Sequence, residues 1–246
     1  LWSDLGCQIT VVCGMINYST GKKNKRFKNK FFVKEKYYNN VDVLRCHVSN
    51  SYNKNFIGRL WAYFSFIIFG TFGFFYKTNK AYDAVLVSSP PLFVGIIGLI
   101  LSKIKKIPLI FEIRDLWPES AIETGVVNNK NIINLAYWLE KTIYNNSILL
   151  NVLTPAFKEY LINKKNISEN NIIYIPNAAN FNMMQQYSDF DVKVFREKIG
   201  WTNKFIIIYV GAHGVANHLQ QLIDAANLLK NTKAHIVLIG DGMKKN

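Results

Sequence analysis

The chain has 246 residues, half of them apolar, 14% aromatic and 19% charged. That balance excludes a disordered or fibrous chain and gives length for one large domain and part of a second. Its 30 Lys and Arg against 16 Asp and Glu leave +14, which suits an anionic partner such as nucleic acid, a phosphorylated substrate or acidic lipid. A general solvated basic face fits equally well, because Lys and Asn recur throughout, as in Lys22-Lys-Asn-Lys-Arg-Phe-Lys-Asn-Lys30 and Asn163-Lys-Lys-Asn166.

The first strand is expected at residues 8–13, so close to Leu1 that the true start of the protein is expected to be missing. Cys7, Cys13 and Cys46 form neither an even disulfide set nor a metal spacing, which predicts structural thiols in a reducing compartment. A second strand is expected at 41–46. The most apolar run then extends from Leu60 to Tyr76 between Arg59 and Lys77, 17 residues at the lower limit for spanning a bilayer. Gly70, Thr71, Gly73, the many aromatics and a place between two strands of one sheet favour a helix whose outer face dips into a membrane surface. A fully buried helix and a true span are the alternatives.

Further strands are expected at 84–88, 109–113, 148–153 and 172–175, with helices between them. Ser88-Ser-Pro-Pro91 precedes an apolar helix at 92–101 and either presents hydroxyls to a ligand or caps that helix. A helix at 131–144 would turn Ile132, Leu135, Ala136, Leu139 and Ile143 inward, and Thr154-Pro155 supplies an N-cap with proline at the first helical position. This alternation predicts an α/β fold with a parallel sheet covered by helices.

After Pro176-Asn177 a polar stretch with Met183, Met184, Gln185 and Gln186 reads as a domain linker, dividing the chain at 1–180 and 181–246. A helix at 191–199 ends at Gly200. A strand at 205–210, the turn Gly211-Ala-His-Gly214, a helix at 217–230 with Leu219, Leu222, Ile223, Ala226 and Leu229 inward, and a strand at 235–239 make one βαβ unit. One parallel pair cannot bury both faces, so the sequence reads as a fragment.

The densest polar cluster follows the strand at 109–113, in Arg114-Asp-Leu-Trp-Pro-Glu-Ser120. In open parallel sheets, ligands bind outside the carboxyl ends of the strands. Arg114 offers a permanent fork for phosphate or carboxylate, Asp115 and Glu119 can orient hydroxyls or take a proton, and Trp117 can pack on a sugar face. The structural alternative is a buried Arg114–Asp115 pair that holds the turn. Gly211–Gly214 offers free N–H groups and a helix N-terminus, an anion site to which His213 can add a donor, or else a plain strand-to-helix turn. His218 is expected to face solvent and Asn177 to cap a turn. No dinucleotide fingerprint, phosphate-binding P-loop or zinc spacing is present.

Taken together, Phe111-Glu-Ile-Arg-Asp-Leu-Trp-Pro-Glu-Ser120, Ser88-Ser-Pro-Pro-Leu-Phe-Val-Gly95, Leu153-Thr-Pro-Ala-Phe-Lys158, Ile175-Pro-Asn-Ala178 and Tyr209-Val-Gly-Ala-His-Gly214 resemble family 4 glycosyltransferases of the GT-B fold. The likeness is greatest to the branch with N-acetyl-L-fucosamine transferases of capsule and O-antigen assembly. It implies two Rossmann-like domains facing a cleft, a nucleotide-sugar donor (UDP-linked) on the C-terminal one, an acceptor on the N-terminal one, retention of configuration, and neither metal nor separate cofactor.

The resemblance assigns Arg114, Asp115 and Glu119 to the catalytic side and Gly211, Ala212, His213, Gly214 and Asn177 to the donor. Many family members have His where Arg114 stands, and a permanently protonated Arg points to charge and positioning over proton transfer. Relatives often carry Arg and Lys in and after the phosphate loop, where this chain has Ala212 or His213 and Asn217-His218. The glycine-rich first loop and the paired donor glutamates would lie outside 1–246, so the fragment alone is expected to be inactive.

The expected activity is sugar transfer to a lipid-linked glycan, with the protein peripheral at the cytoplasmic face of the membrane and held there through the run from Leu60 to Tyr76. A GT-B nucleotide-sugar epimerase and a non-catalytic membrane-associated GT-B-like protein are the rivals. Nucleic acid is not an expected partner, because the basic residues do not interleave with aromatics in a recognisable motif.

Overall fold

Runs rich in Val, Ile and Phe, each cut off by Gly, Pro, Asn or Ser, form the strands of this chain. The computed structural model describes residues 2–17, 22–51, 56–78, 80–179, 190–214, 217–242 and 245. The expected linker residues Met183, Met184, Gln185 and Gln186 lie outside them. The chain divides into two compact units, Leu1–Asn177 and Ala178–Asn246.

In the first unit, β1 (Ile9–Gly14), β2 (Phe32–Tyr38) and β3 (Val41–Cys46) form a sheet in the order β1-β3-β2. β1 pairs with β3 in parallel, and β2 returns antiparallel. A second sheet, wholly parallel, runs β4 (Val85–Ser89), β5 (Leu109–Ile113), β6 (Leu149–Val152), β7 (Ile172–Tyr174). These findings correct the expectation of one parallel sheet in two respects. β2 is an additional edge strand whose Lys34-Glu-Lys36 centre hides it from an apolar-run criterion, and the strands on either side of the long apolar helix belong to different sheets.

That helix, α1 (Phe56–Lys77), packs on the first sheet and against α2 (Val94–Lys105), which covers β4 and β5. Each of these helices has a glycine at a close contact. A Cβ on Gly73 would lie 2.7 Å from the Phe32 ring, and one on Gly95 would lie 2.3 Å from Ile143 Cδ1. The serines before α2 do not cap it, contrary to the structural expectation: its N-cap is Phe93, without a side-chain bond.

Leu109, Phe111 and Ile113 alternate onto one face of β5 and are buried. Phe111 and Ile113, with Leu150 and Val152 of β6, meet Leu139 and Ile143 of α4 (Lys130–Asn145) and Leu161 of α5 (Pro155–Lys165). Asn129 caps α4, and Thr154 Oγ1 accepts from Phe157 N with Pro155 at the first position of α5. On α4 the buried face is displaced from the expected one: Leu135 is exposed and Glu140 is buried.

In the second unit, β8 (Phe205–Val210) pairs in parallel with β9 (Ala234–Ile239) over six residues. Asp191 caps α6 (Val192–Lys198), and Gly200 stands after it at φ +72°. α7 (Gln220–Leu228) is shorter than expected, and Ile223 faces outward while Leu219 is buried.

Candidate functional site

The parallel pairing of β4, β5 and β6 puts Ser88, Glu112 and Asn151 at one register level. Their side chains lie on the face opposite Phe111 and Ile113. Ser88 Oγ donates to Glu112 Oε2, and Asn151 Nδ2 donates to Glu112 Oε1 at 3.4 Å. Asn151 Oδ1 is buried and has no partner among the described residues. A polar row therefore crosses the sheet one residue before β5 ends.

Arg114 leaves the strand with its N–H bonded to Ser89 O at 3.2 Å, which ties the exits of β4 and β5 together. Its guanidinium is exposed and has no partner among the described residues, so the alternative of a buried Arg114–Asp115 pair is not what the structure contains. Asp115 instead organises the turn: its carboxylate accepts from Ser120 Oγ at 2.9 Å and its carbonyl from Trp117 N at 3.0 Å. Trp117 is partly buried against the core and meets the Phe93 ring edge-on at 5.5 Å. Pro118 is fully buried at the start of α3 (Glu119–Glu123).

Glu119 turns toward a second cluster. Its Oε1 accepts from Lys165 Nζ at 2.5 Å and Tyr160 Oη at 3.0 Å, and Lys165 also reaches Glu140 Oε2 at 2.7 Å. One oxygen of each carboxylate, Glu119 Oε2 and Glu140 Oε1, remains buried without a partner among the described residues. Burial, only partly offset by Lys165, raises the Glu140 pKa. Burial also opposes the charge on Lys165, but the hydrogen bonds to Glu119 and Glu140 outweigh it and its pKa is raised. Tyr160 is pushed up to about 12 by burial and by the Glu119 carboxylate. Glu140, Tyr160 and Lys165 have no local signature as a group; only the fold brings their helices together.

Asn177 is exposed, and among the described residues its side chain caps no turn. In the second unit, Gly211 N donates to Ile239 O at 3.0 Å and His213 N to Asp241 O at 2.9 Å, so two of the N–H groups expected to be free are already used. Those of Ala212 and Gly214 have no acceptor among the described residues. Tyr209 Oη donates to Ala212 O at 3.0 Å. His213 is 6% exposed, and its Nε2 has no partner among the described residues. His218 is exposed, as expected, with Nδ1 2.6 Å from Gln221 Nε2. The helix that follows begins only at Gln220, so its N-terminus does not directly adjoin the turn.

Residues 2–178 match the glycosyl transferase 4-like domain. The chain belongs to that family. The match ends within a residue of the boundary of the first unit. A putative colanic acid biosynthesis glycosyl transferase, WcaI of Escherichia coli K12, is 22% identical over 204 residues, 81% of this chain and 50% of the relative. Among solved structures, Anabaena HepE in complex with UDP aligns at a TM-score of 0.58 with 15% identity, covering 96% of this chain and 62% of HepE. Sucrose-phosphate synthase from Thermosynechococcus elongatus aligns at 0.58 with 11% identity, covering 97% and 62%. The chain thus spans about half the length of its curated relative, and the structural likeness shows the GT-B fold.

In this glycosyl transferase 4-like chain, the polar cluster after β5 separates into two parts. Arg114 is the outward part, exposed at the carboxyl end of the sheet. Glu119 is the inward part, fixed by Lys165 and Tyr160.

Proposed function

We propose that the chain is the acceptor-side domain and the beginning of the donor-side domain of a glycosyltransferase. It moves a sugar from a UDP-linked donor to a lipid-linked glycan with retention of configuration, at the cytoplasmic face of a membrane. The pathway is cell-surface polysaccharide assembly, in the branch that includes N-acetyl-L-fucosamine transferases. The observation that carries this reading is the glycosyl transferase 4-like match over 2–178, with Arg114 exposed and unpartnered among the described residues at the carboxyl end of β5.

In this reading the Arg114 guanidinium holds negative charge on the reacting groups and positions them, since it cannot release a proton. Asp115, fixed by Ser120, shapes the turn and accepts from a sugar hydroxyl. The N–H groups of Ala212 and Gly214, with His213 Nε2, receive the donor diphosphate. HepE was solved with UDP and with UDP-glucose, which supports the choice of nucleotide. The nucleotide sugar is the substrate, and no separate cofactor is invoked.

The test is calorimetric titration of the chain with UDP, ADP and GDP, together with radiolabelled sugar transfer to extracted lipid-linked acceptors by the protein that contains it. UDP-selective binding, and transfer reduced at least 100-fold by Arg114→Ala, are expected. Interconversion of the free nucleotide sugar without acceptor would replace this reading with an epimerase.

A further inference from the structure

The water-facing side of α1 is apolar. Ile57, Trp61, Phe64, Ile68, Phe72 and Tyr76 follow one another at intervals of three or four, form one stripe, and are each 44% to 75% exposed. A helix that faced only water would carry polar residues there. The opposite side is committed to the fold, with Gly73 against Phe32 and Cys46 and Gly70 against Ile97. Although Ile57–Lys77 is long and apolar enough to cross a bilayer, crossing would tear it from this core.

Basic groups border the stripe. The exposed Phe31 stacks on Phe69 of α1 at 5.4 Å, which fixes beside the helix the loop that carries Lys25, Lys28 and Lys30. Lys77 Nζ lies 4.2 Å from the Tyr76 ring centroid, and Lys105 of α2 lies 5.7 Å from that of Phe75.

The charge of the whole chain follows the same pattern. Residues 1–111 hold 16 of the 30 Lys and Arg but 4 of the 16 Asp and Glu, so they carry +12 of the net +14. Two of those four acids are already paired, Glu35 with Arg45 at 2.7 Å and Asp42 with Lys80 at 3.0 Å. A second copy of the chain would set one strongly positive surface against another, whereas an anionic bilayer complements both the stripe and its border.

We infer that α1 lies in the plane of an anionic lipid surface, with the Trp61–Phe72 stripe among the acyl chains and the lysines of the 23–30 loop, Lys77 and Lys105 at the headgroup phosphates. This deepens the proposed membrane location and rests on that reading for its biological purpose only. Vesicle binding needs neither donor nor acceptor, so loss of sugar transfer with vesicle binding intact would count against the transferase reading alone.

The experiment is co-sedimentation of the 246-residue chain with vesicles of phosphatidylcholine, with and without phosphatidylglycerol at about one lipid in three. Binding is expected only with the anionic lipid, and it should weaken steeply with salt. Lys25→Glu with Lys28→Glu should weaken it by more than tenfold, at roughly fivefold per removed charge. Trp61→Ser with Phe72→Ser should weaken it on the order of 100-fold. Both pairs occupy exposed positions, and unchanged circular dichroism would confirm that they fold. Equal binding to both vesicle types, no binding to either, or a wild-type dimer abolished by the Trp61 and Phe72 changes would each overturn the inference.

Discussion

The ammonium of Lys165, the last residue of α5, lies 2.7 Å from the carboxylate of Glu140, a side chain 3% exposed on the inner side of α4. The same ammonium holds Glu119 at the start of α3. One cation therefore joins three helices around one buried and one partly buried carboxylate.

Lys165→Met should destabilise the first unit by about 3 kcal/mol at neutral pH, because it leaves both carboxylates without their cation. The sign of the pH response identifies the cause. In wild type, the raised Lys165 pKa contributes stability that is full below its ordinary value near 10.5 and is lost as pH rises through the folded value. In the variant, burial of Glu140 loses the offset that Lys165 supplies, so its pKa should rise further and stability should increase more steeply than in wild type as pH falls from 7 toward the ordinary carboxyl range. Urea melts at several pH values would show this, and a flat profile for the variant would refute the assignment.

Arg114→Ala should leave urea stability within about 0.5 kcal/mol of wild type, since the guanidinium is exposed and unpartnered among the described residues. A larger loss would mean that Arg114 serves the fold, not a ligand.

Gly95→Val should cost about 1–3 kcal/mol, because its side chain would occupy the space of Ile143 Cδ1. In the background of Ile143→Ala, which removes the obstructing atoms, the same change should cost less. Simple additivity across this cycle would show that the two helices do not meet there.

The legible part of the fold was the part written in apolar runs. β3, β5 and β8 occupy the residues expected of them, and the cap at Thr154 follows from local chemistry. β2 escaped because an edge strand can carry Lys34-Glu-Lys36 in its middle, where charged side chains pair across to β3, as Glu35 does with Arg45. Glu140 escaped for another reason: helical spacing favours Leu135 for the interior, and only a lysine 25 residues later makes a buried glutamate tolerable. The polar cluster after β5 could be located from sequence, but the outward Arg114 and inward Glu119 could not be distinguished until α4 and α5 were in place.

The three thiols should differ in reactivity. Cys7 is exposed, whereas burial raises the Cys13 pKa and pushes Cys46 up to about 12. Ellman's reagent at pH 8 should therefore titrate one thiol quickly and the other two only as the chain unfolds. Equal rates would indicate that β1 and β3 open readily.

The row Ser88–Glu112–Asn151 acts as an alignment key for three parallel strands that hairpin turns cannot align. If β5 slipped by one residue, Glu112 would move to the side now occupied by Phe111 and Ile113 and would lose both hydrogen-bonding partners. A misaligned sheet would thus carry an unpaired polar group in its core, so the turn that bears Arg114 begins at one register level.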